Sequence, residues 1–473
     1  MVSAAAPAVA PEAAADATPA APAPAAPRRS LMRAAAWLLG SQVGAQALRL
    51  ISNLVLTRLL LPADFGLAAA VGTLYFGLVM FSDLGVWQSV VRSPRGHDPA
   101  FLGTAWAVQL GRGVLLAVLV LLIAAVLQIG HAHWTPGSVY ADPRLPALMA
   151  VFALSALLQG GESMKIALAQ RDLHGAGLAR LELGSQLIAL IFTWTLAWST
   201  ASVWALVLGQ TVASAARTWG SHQMLPGPSV RPAWDRPAAA EVLGFGRWIF
   251  VSSIVGFLAA QGEKLLLAGS LAAASFGVFA IASTLLAALV GVLSSLNAHV
   301  VFAGLSRAGR DDRAAAARLY MKLQSWADLA LGSVAGLLCG AGHWVVDLLY
   351  DARYAAAGWM LQILALGLLA LRQQVAEQLM FARGQPAWVT ANNALRIAAL
   401  VVAVPLGLQL GGERGAVIGV MLSQYASWPL SYLFRQREGL LGWRSELAWL
   451  PALLAGLGLG WAVDQGLTAM FGH

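Results

Sequence analysis

The sequence predicts an all-α polytopic membrane protein of 12–13 transmembrane helices, arranged as two parallel six-helix lobes around a central cavity. Three observations carry that prediction. First, 59% of the 473 residues are apolar and 11% are charged, with a mean hydropathy of +0.69, whereas ordinary soluble domains are about 25% charged. Second, apolar runs long enough to cross a bilayer, roughly 20 residues each, follow one another along nearly the whole chain. Third, the chain matches itself when displaced by 211 positions. The loops between the runs are too short for a soluble catalytic domain, so function must lie among the spans. A lone cysteine, Cys339, excludes an intramolecular disulfide and a cysteine-based metal site.

Residues 1–30 are almost wholly Ala and Pro. Such a stretch has too little to bury and is expected to be a disordered cytoplasmic tail. Arg28, Arg29 and Arg33 precede the first apolar run and read as a positive-inside anchor rather than a twin-arginine export signal. The expected spans then fall at about 34–61, 65–91, 101–129, 146–169, 177–199, 202–224, 242–270, 274–303, 321–349, 355–381, 387–410, 414–434 and 447–467. These divide into a first lobe over 31–224, a cytoplasmic linker over 225–241, a second lobe over 242–436 and an extra C-terminal helix within 437–473. With the N-terminus inside, Arg92, Arg95, Arg171, Arg231, Arg236, Arg383, Arg435, Arg437 and Arg444 fall on the cytoplasmic side, and only Arg144, Arg353 and Arg414 fall outside. That asymmetry orients the chain and accounts for the +8 net charge through anionic lipid, without nucleic acid.

The displacement of 211 lays Ser41 on Ser252, Leu56 on Leu267, Phe65-Gly66 on Phe276-Gly277 and Thr73-Leu74 on Thr284-Leu285. Six spans per half is an even number, so both halves insert with one orientation and are related by an axis along the membrane normal.

Charges inside spans cost several kcal/mol and mark function. Gln42, Gln46, Arg49 and Asn53 follow 4, 3, 4 spacing and share one face of the first span. The displacement puts Lys264 on Asn53. Arg112 with Gln109, Arg180 with Glu182, Arg372 and Arg396 add further candidates. Arg372 has no opposite charge within a turn of its own helix, so its counter-charge is expected on another helix or on a ligand. Surplus Arg and Lys, with Gln and Asn for hydroxyls, suit a phosphate-bearing substrate carrying a sugar. Asp83, Glu263, Asp328 and Glu377 are the candidates for a coupling ion or proton. Arg58, Arg217, Arg247 and Lys322 lie near span ends and are expected to snorkel, and Glu162 with Lys165 is spaced for an internal ion pair.

The run Thr57-Arg58 through Leu61-Pro62-Ala63-Asp64-Phe65-Gly66-Leu67, then Phe81-Ser82-Asp83-Leu84-Gly85, resembles the bacterial polysaccharide transporters. These are lipid-linked oligosaccharide and O-antigen flippases, of the superfamily that also holds multidrug extruders and lipid II flippases. Gly246-Arg247-Trp248, Gln261-Gly262-Glu263-Lys264 and Phe276-Gly277-Val278-Phe279-Ala280 extend the resemblance over about residues 33–436, with Glu263 standing where the family is expected to have Asp. The resemblance implies alternating access and movement of an undecaprenyl-pyrophosphate glycan across the bacterial inner membrane, for exopolysaccharide, capsule or O-antigen. By matching position it gives pyrophosphate and glycan binding to Arg49 and Lys264. Polysaccharide polymerase and export proteins are the implied partners, and the chain is expected to act as a monomer without cofactor. No Gly-rich run ends in Lys-Ser or Lys-Thr, which disfavours direct ATP hydrolysis. Two other classes share parts of this pattern. A multidrug extruder has the same architecture, and a membrane polysaccharide polymerase or glycosyltransferase would use an outward loop such as 131–145, with His131, His133, Asp142 and Arg144.

Overall fold

The computed structural model describes residues 28–296, 301, 304–305, 307, 313–441 and 446–471. Residues 1–27, on which the expectation of a disordered tail falls, lie outside that set, as do the side chains of Gln42, His131 and Arg247. The described chain is helical throughout, its sole strand-like pairing being an isolated bridge between Ser138 and Ala272.

The first half contains α1 (Arg28–Leu59), α2 (Pro62–Phe81), α3 (Val86–Arg92), α4 (Pro99–Ile129), α5 (Leu145–Gly160), α6 (Lys165–Arg171), α7 (Gly175–Thr200) and α8 (Trp204–Gln223). The second contains α9 (Arg236–Ser270), α10 (Ala273–Leu296), α11 (Arg313–Leu349), α12 (Ala356–Leu366), α13 (Gln373–Ala382), α14 (Pro386–Gln424) and α15 (Trp428–Arg437). A last helix, α16 (Trp449–Phe471), follows. Among the described residues seven helices are long and apolar enough to cross a membrane, or eight if α5 and α6 form one bent span. The other expected spans are helical as well. Several, such as α1 with Arg49 and α9 with Glu263 and Lys264, dilute their apolarity with the polar residues that mark function.

Several spans are interrupted. Between α2 and α3 the chain unwinds over Ser82–Gly85, where Gly85 takes a left-handed φ of 64° that favours glycine. Between α5 and α6 the axis bends by 59°. Its counterpart in the second half is the tight 3-10 turn Gly367–Arg372 between α12 and α13. Helix α14 is two helices joined at Gly411 and Gly412, which leave helical geometry.

The halves meet where the repeat pairs its own glycines. A Cβ on Gly66 would lie 2.1 Å from the Ala273 carbonyl oxygen and 3.0 Å from the Gly277 nitrogen, and one on Gly277 only 1.8 Å from the Pro62 carbonyl oxygen. The axis therefore passes between α2 and α10, whose backbones approach as glycine alone allows. Around this crossing two loops reach reciprocally across. The Tyr140 hydroxyl, ahead of α5, donates to the Leu265 carbonyl on α9 at 3.1 Å. The Tyr354 hydroxyl, ahead of α12, donates to the Leu60 carbonyl after α1 at 3.1 Å. Arg353 donates to the Thr57 and Arg58 carbonyls, placing a cation at the negative end of α1. Phe65 and Tyr354 meet edge-on across the halves at 6.0 Å. Loop 131–145 thus belongs to an inter-half seal, with Asp142 accepting from Arg144 at 3.0 Å.

At the opposite, arginine-rich face the segment between the halves docks on the start of α4. Ala233 N–H donates to the Gly103 carbonyl, Asp235 N–H to Thr104 Oγ1, and Asp235 caps α9 through Ala238 N–H. Helix α16 adds to the second half by a small-residue seam. Gly332, Gly336 and Gly340 of α11 face Ala452, Gly456 and Gly460, with a Cβ on Gly336 only 2.3 Å from the Leu453 carbonyl oxygen.

Candidate functional site

The two unwound segments of the first half border an open cavity of about 670 Å³ lined by α1 to α5, α7 and α8. Broken helices put backbone polar groups where they can be satisfied only by protein or by something in the cavity, the usual construction of a transport site. Gln109 on α4 ties the two breaks together. Its Oε1 accepts from Trp87 Nε1 at 2.7 Å, and its Nε2 donates to the Gln159 carbonyl at 3.1 Å. Arg112 supports the first break by donating to the Val79 carbonyl at 2.8 Å and to Ser82 Oγ at 3.2 Å. Asp83 Oδ1 accepts from Gly85 N–H at 2.9 Å, folding the turn that swings Trp87 and Gln88 to the cavity wall.

The second break presents Glu162. Its carboxylate pairs with Arg217 Nε of α8 at 2.9 Å, and the same guanidinium reaches Glu182 on α7. Arg217 also lies over the Trp87 ring, 5.9 Å from its centroid. Arg217 is therefore not a snorkelling residue, because two carboxylates on neighbouring helices hold it inward. Lys165 is not the partner of Glu162 either, since its Nζ donates to the His222 carbonyl at 2.9 Å. The bend after Gly160 puts the two side chains on different surfaces, which spacing along a continuous helix does not anticipate.

Of the candidates for substrate or ion binding, Arg49, Asn53, Asp83 and Arg112 line this cavity, as do Gln109, Glu162, Glu182 and Arg217, also noted in the sequence. Arg49 is exposed within it and forms no ion pair among the described residues. Gln46 is half-buried on α1 outside the lining, and Gln42 is described only in its backbone. The rest lie in the second half. Arg396 donates to Gln424 Oε1 and acts electrostatically on both Glu263 and Glu377, while Lys264 neighbours Glu263. These five form a second polar cluster, apart from the cavity. Arg372 and Asp328 find each other. Nε and Nη2 of Arg372 donate to the two oxygens of Asp328 at 2.8 and 3.0 Å, with the side chains 2% and 1% exposed. Glu446 adds a contact to Arg372 at 3.3 Å and another to Arg435. The counter-charge of Arg372 is thus on another helix, α11, 44 residues away, one of the two places expected for it, and neither residue lines the cavity of the first half.

The expected surplus of basic groups is also not what the cavity holds. Its guanidinium groups, Arg49, Arg112 and Arg217, are matched in number by the carboxylates Asp83, Glu162 and Glu182. Sequence reasoning missed Trp87, Gln88, Gln186 and Gln210, which complete the wall. Only the repeated Gln and Trp inside apolar runs could have signalled them.

A family model described as polysaccharide biosynthesis protein matches residues 55–358. The lipopolysaccharide biosynthesis protein WzxC of Escherichia coli (strain K12) is 24% identical over 444 residues, which cover 90% of this chain and 86% of that protein. Among solved structures, the lipid II flippase MurJ in an inward closed conformation superposes with a TM-score of 0.71 at 10% identity, over 91% of this chain and 92% of that one. An inward-facing multidrug resistance MATE family transporter of the MOP superfamily superposes with a TM-score of 0.64 at 13% identity, over 83% and 94%. Both likenesses are of fold, a two-lobed helical membrane protein.

Proposed function

The chain belongs to the polysaccharide biosynthesis protein family, and on that premise we propose that it is a transporter rather than an enzyme. Its substrate is an undecaprenyl-pyrophosphate-linked oligosaccharide, flipped across the bacterial inner membrane by alternating access for exopolysaccharide, capsule or O-antigen synthesis. The observation that carries this reading is a polar cavity set inside an apolar bundle where two spans break. Intramembrane polarity of this kind is costly and is kept where something polar must pass.

The arginine-rich face, with Arg92, Arg95, Arg171, Arg231 and Arg236, lies in the cytoplasm by the positive-inside rule, which puts the N-terminus there too. The seal of Tyr140, Arg353 and Tyr354 then closes the outer side. In the cytoplasm-facing state the headgroup enters from below, Arg49 takes the pyrophosphate, and the polyprenyl tail stays in lipid. Lys264, equivalent to Asn53 under the repeat, is the basic group that the second half offers the substrate. Rocking of the halves about the Gly66–Gly277 crossing breaks the seal and releases the headgroup outward. Asp83, Glu263 and Glu377 remain the groups through which an ion or proton gradient would act. The chain works as a monomer and hands its product to a polysaccharide polymerase and export proteins.

Depleting the protein in its native host and probing oriented vesicles with a membrane-impermeant glycan reagent tests this. Lipid-linked oligosaccharide is expected to accumulate on the cytoplasmic leaflet, relieved by the wild type but not by Arg49→Ala. If repeat units reach the outer leaflet normally and only polymer is missing, the proposal fails and a polymerase takes its place.

A further inference from the structure

We infer that the first-half cavity beyond Arg49 recognises the uncharged, hydroxyl-rich sugar portion of the substrate, with Trp87 and Gln186 as specificity-determining residues, and that the pyrophosphate stays at Arg49 and is kept from the wall of Asp83, Glu162 and Glu182. This rests on the flippase reading and assigns the cavity within it.

Charge comes first. Arg217 is engaged by Glu162 and Glu182, and Arg112 by the Val79 carbonyl and Ser82. A polyanion entering past Arg49 would meet Asp83, Glu162 and Glu182 with those guanidinium groups already engaged. That wall offers an anion carboxylates and no guanidinium free of a partner, so it gives pyrophosphate nothing to pair with.

The hydrogen-bonding groups point the same way. An anion accepts only, whereas a sugar hydroxyl both donates and accepts, and side-chain amides supply both. Gln186 is decisive. Its Nε2 donates to Glu182 Oε1 at 2.6 Å, which fixes the orientation of the amide, and its Oε1 is then a buried acceptor without a partner among the described residues. A buried acceptor left unpaired costs about 1–3 kcal/mol, and a hydroxyl donor would satisfy it where a phosphate oxygen would repel it.

Trp87 adds the apolar half of sugar recognition. Its Nε1 is committed to Gln109 and Arg217 lies over the ring, so the indole is held at the wall with its polar end satisfied. The part of the indole that Arg217 leaves open to the cavity takes the C–H face of a pyranose while the amides take its edge. The volume of about 670 Å³ falls in the range of roughly 300–1,000 Å³ usual for pockets that enclose a ligand.

The test uses the full-length protein in vesicles loaded with lipid-linked repeat unit extracted from the host. A second preparation carries undecaprenyl-pyrophosphate with its first sugar alone, and flipping is read by impermeant periodate. Gln186→Leu and Trp87→Ala are expected to slow the oligosaccharide form roughly tenfold and the single-sugar form less than about twofold, with Trp87→Phe close to wild type. The oligosaccharide released from its lipid and phosphate should compete with transport by the wild type and more weakly with transport by Gln186→Leu, whereas inorganic pyrophosphate, which Arg49 takes, should compete equally with both. Equal loss for both forms, or competition by pyrophosphate instead of the released glycan, overturns the inference while leaving the flippase intact. If the wild type flips neither form, the flippase reading itself has failed.

Discussion

The two halves share one plan and use their buried charges in opposite ways. At the break of the fourth span, the first half has Glu162 and the second half has Arg372, close to equivalent under the repeat. Glu162 and its partner Arg217 line an open cavity, the arginine being 30% exposed. Arg372 is locked into Asp328 with almost no exposure and is further held by Glu446. The extra helix α16 packs its glycine seam against the same half. At this break one half has kept its charge at a cavity wall, and the other has converted it into structure. Within a duplicated fold, an intramembrane charge is therefore assigned by its partner and its access, since its presence alone does not distinguish the two uses.

The largest effect should come from Asp328→Ala, which strands Arg372 in the interior. A broken buried pair costs about 3–5 kcal/mol, so thermal unfolding in detergent should show a severe loss of stability. Replacing both residues by Leu should recover most of it. If the single variant is as stable as wild type, the contrast between the halves is wrong. Gly336→Leu should come next, because its side chain would collide with the backbone of α16 at a cost of about 1–3 kcal/mol. Gly458→Ala, with open space around its Cβ, should leave the same melting curve unmoved.

Glu162→Gln sharpens the comparison from the other side. Arg217 keeps Glu182, so stability should fall by only about 1–2 kcal/mol, while flipping of the lipid-linked oligosaccharide should drop severalfold. A collapse in stability matching Asp328→Ala would make the first-half charges structural too. The smallest effect belongs to the seal. The hydrogen bond from Arg353 holds the Asp351 carboxyl below its usual range. A group with a lowered folded pKa stabilises fully above its unfolded value, near 3.9, and loses that contribution as pH falls through the folded value. Melting curves of wild type and Arg353→Ala should therefore differ slightly at neutral pH and converge in acid.

Much of this was legible beforehand because membrane spans are written in hydropathy. The expected runs coincide with helices, and the displacement of 211 picked out Gly66 and Gly277, which touch. Arg49, Asn53, Asp83 and Arg112 reached the cavity because their faces follow from helical spacing or from the break beside them. What the sequence hid was partnership. Arg217 sits where a long stem could reach the interface, and only the bend after Gly160 brings Glu162 to it. Arg372 finds its carboxylate on α11, and no local pattern encodes that contact. The charge balance of the cavity was equally hidden, since it depends on which ionised groups share a wall.

Protection of single cysteines tests most directly whether the first half holds the substrate. In a Cys339→Ser background, Ala213→Cys lies in the cavity wall and Ala260→Cys lies at the position equivalent to Arg49 in the second half. Adding lipid-linked oligosaccharide should shield the first from a thiol reagent more strongly than the second. Shielding at Ala260→Cys with full reactivity at Ala213→Cys would contradict the account.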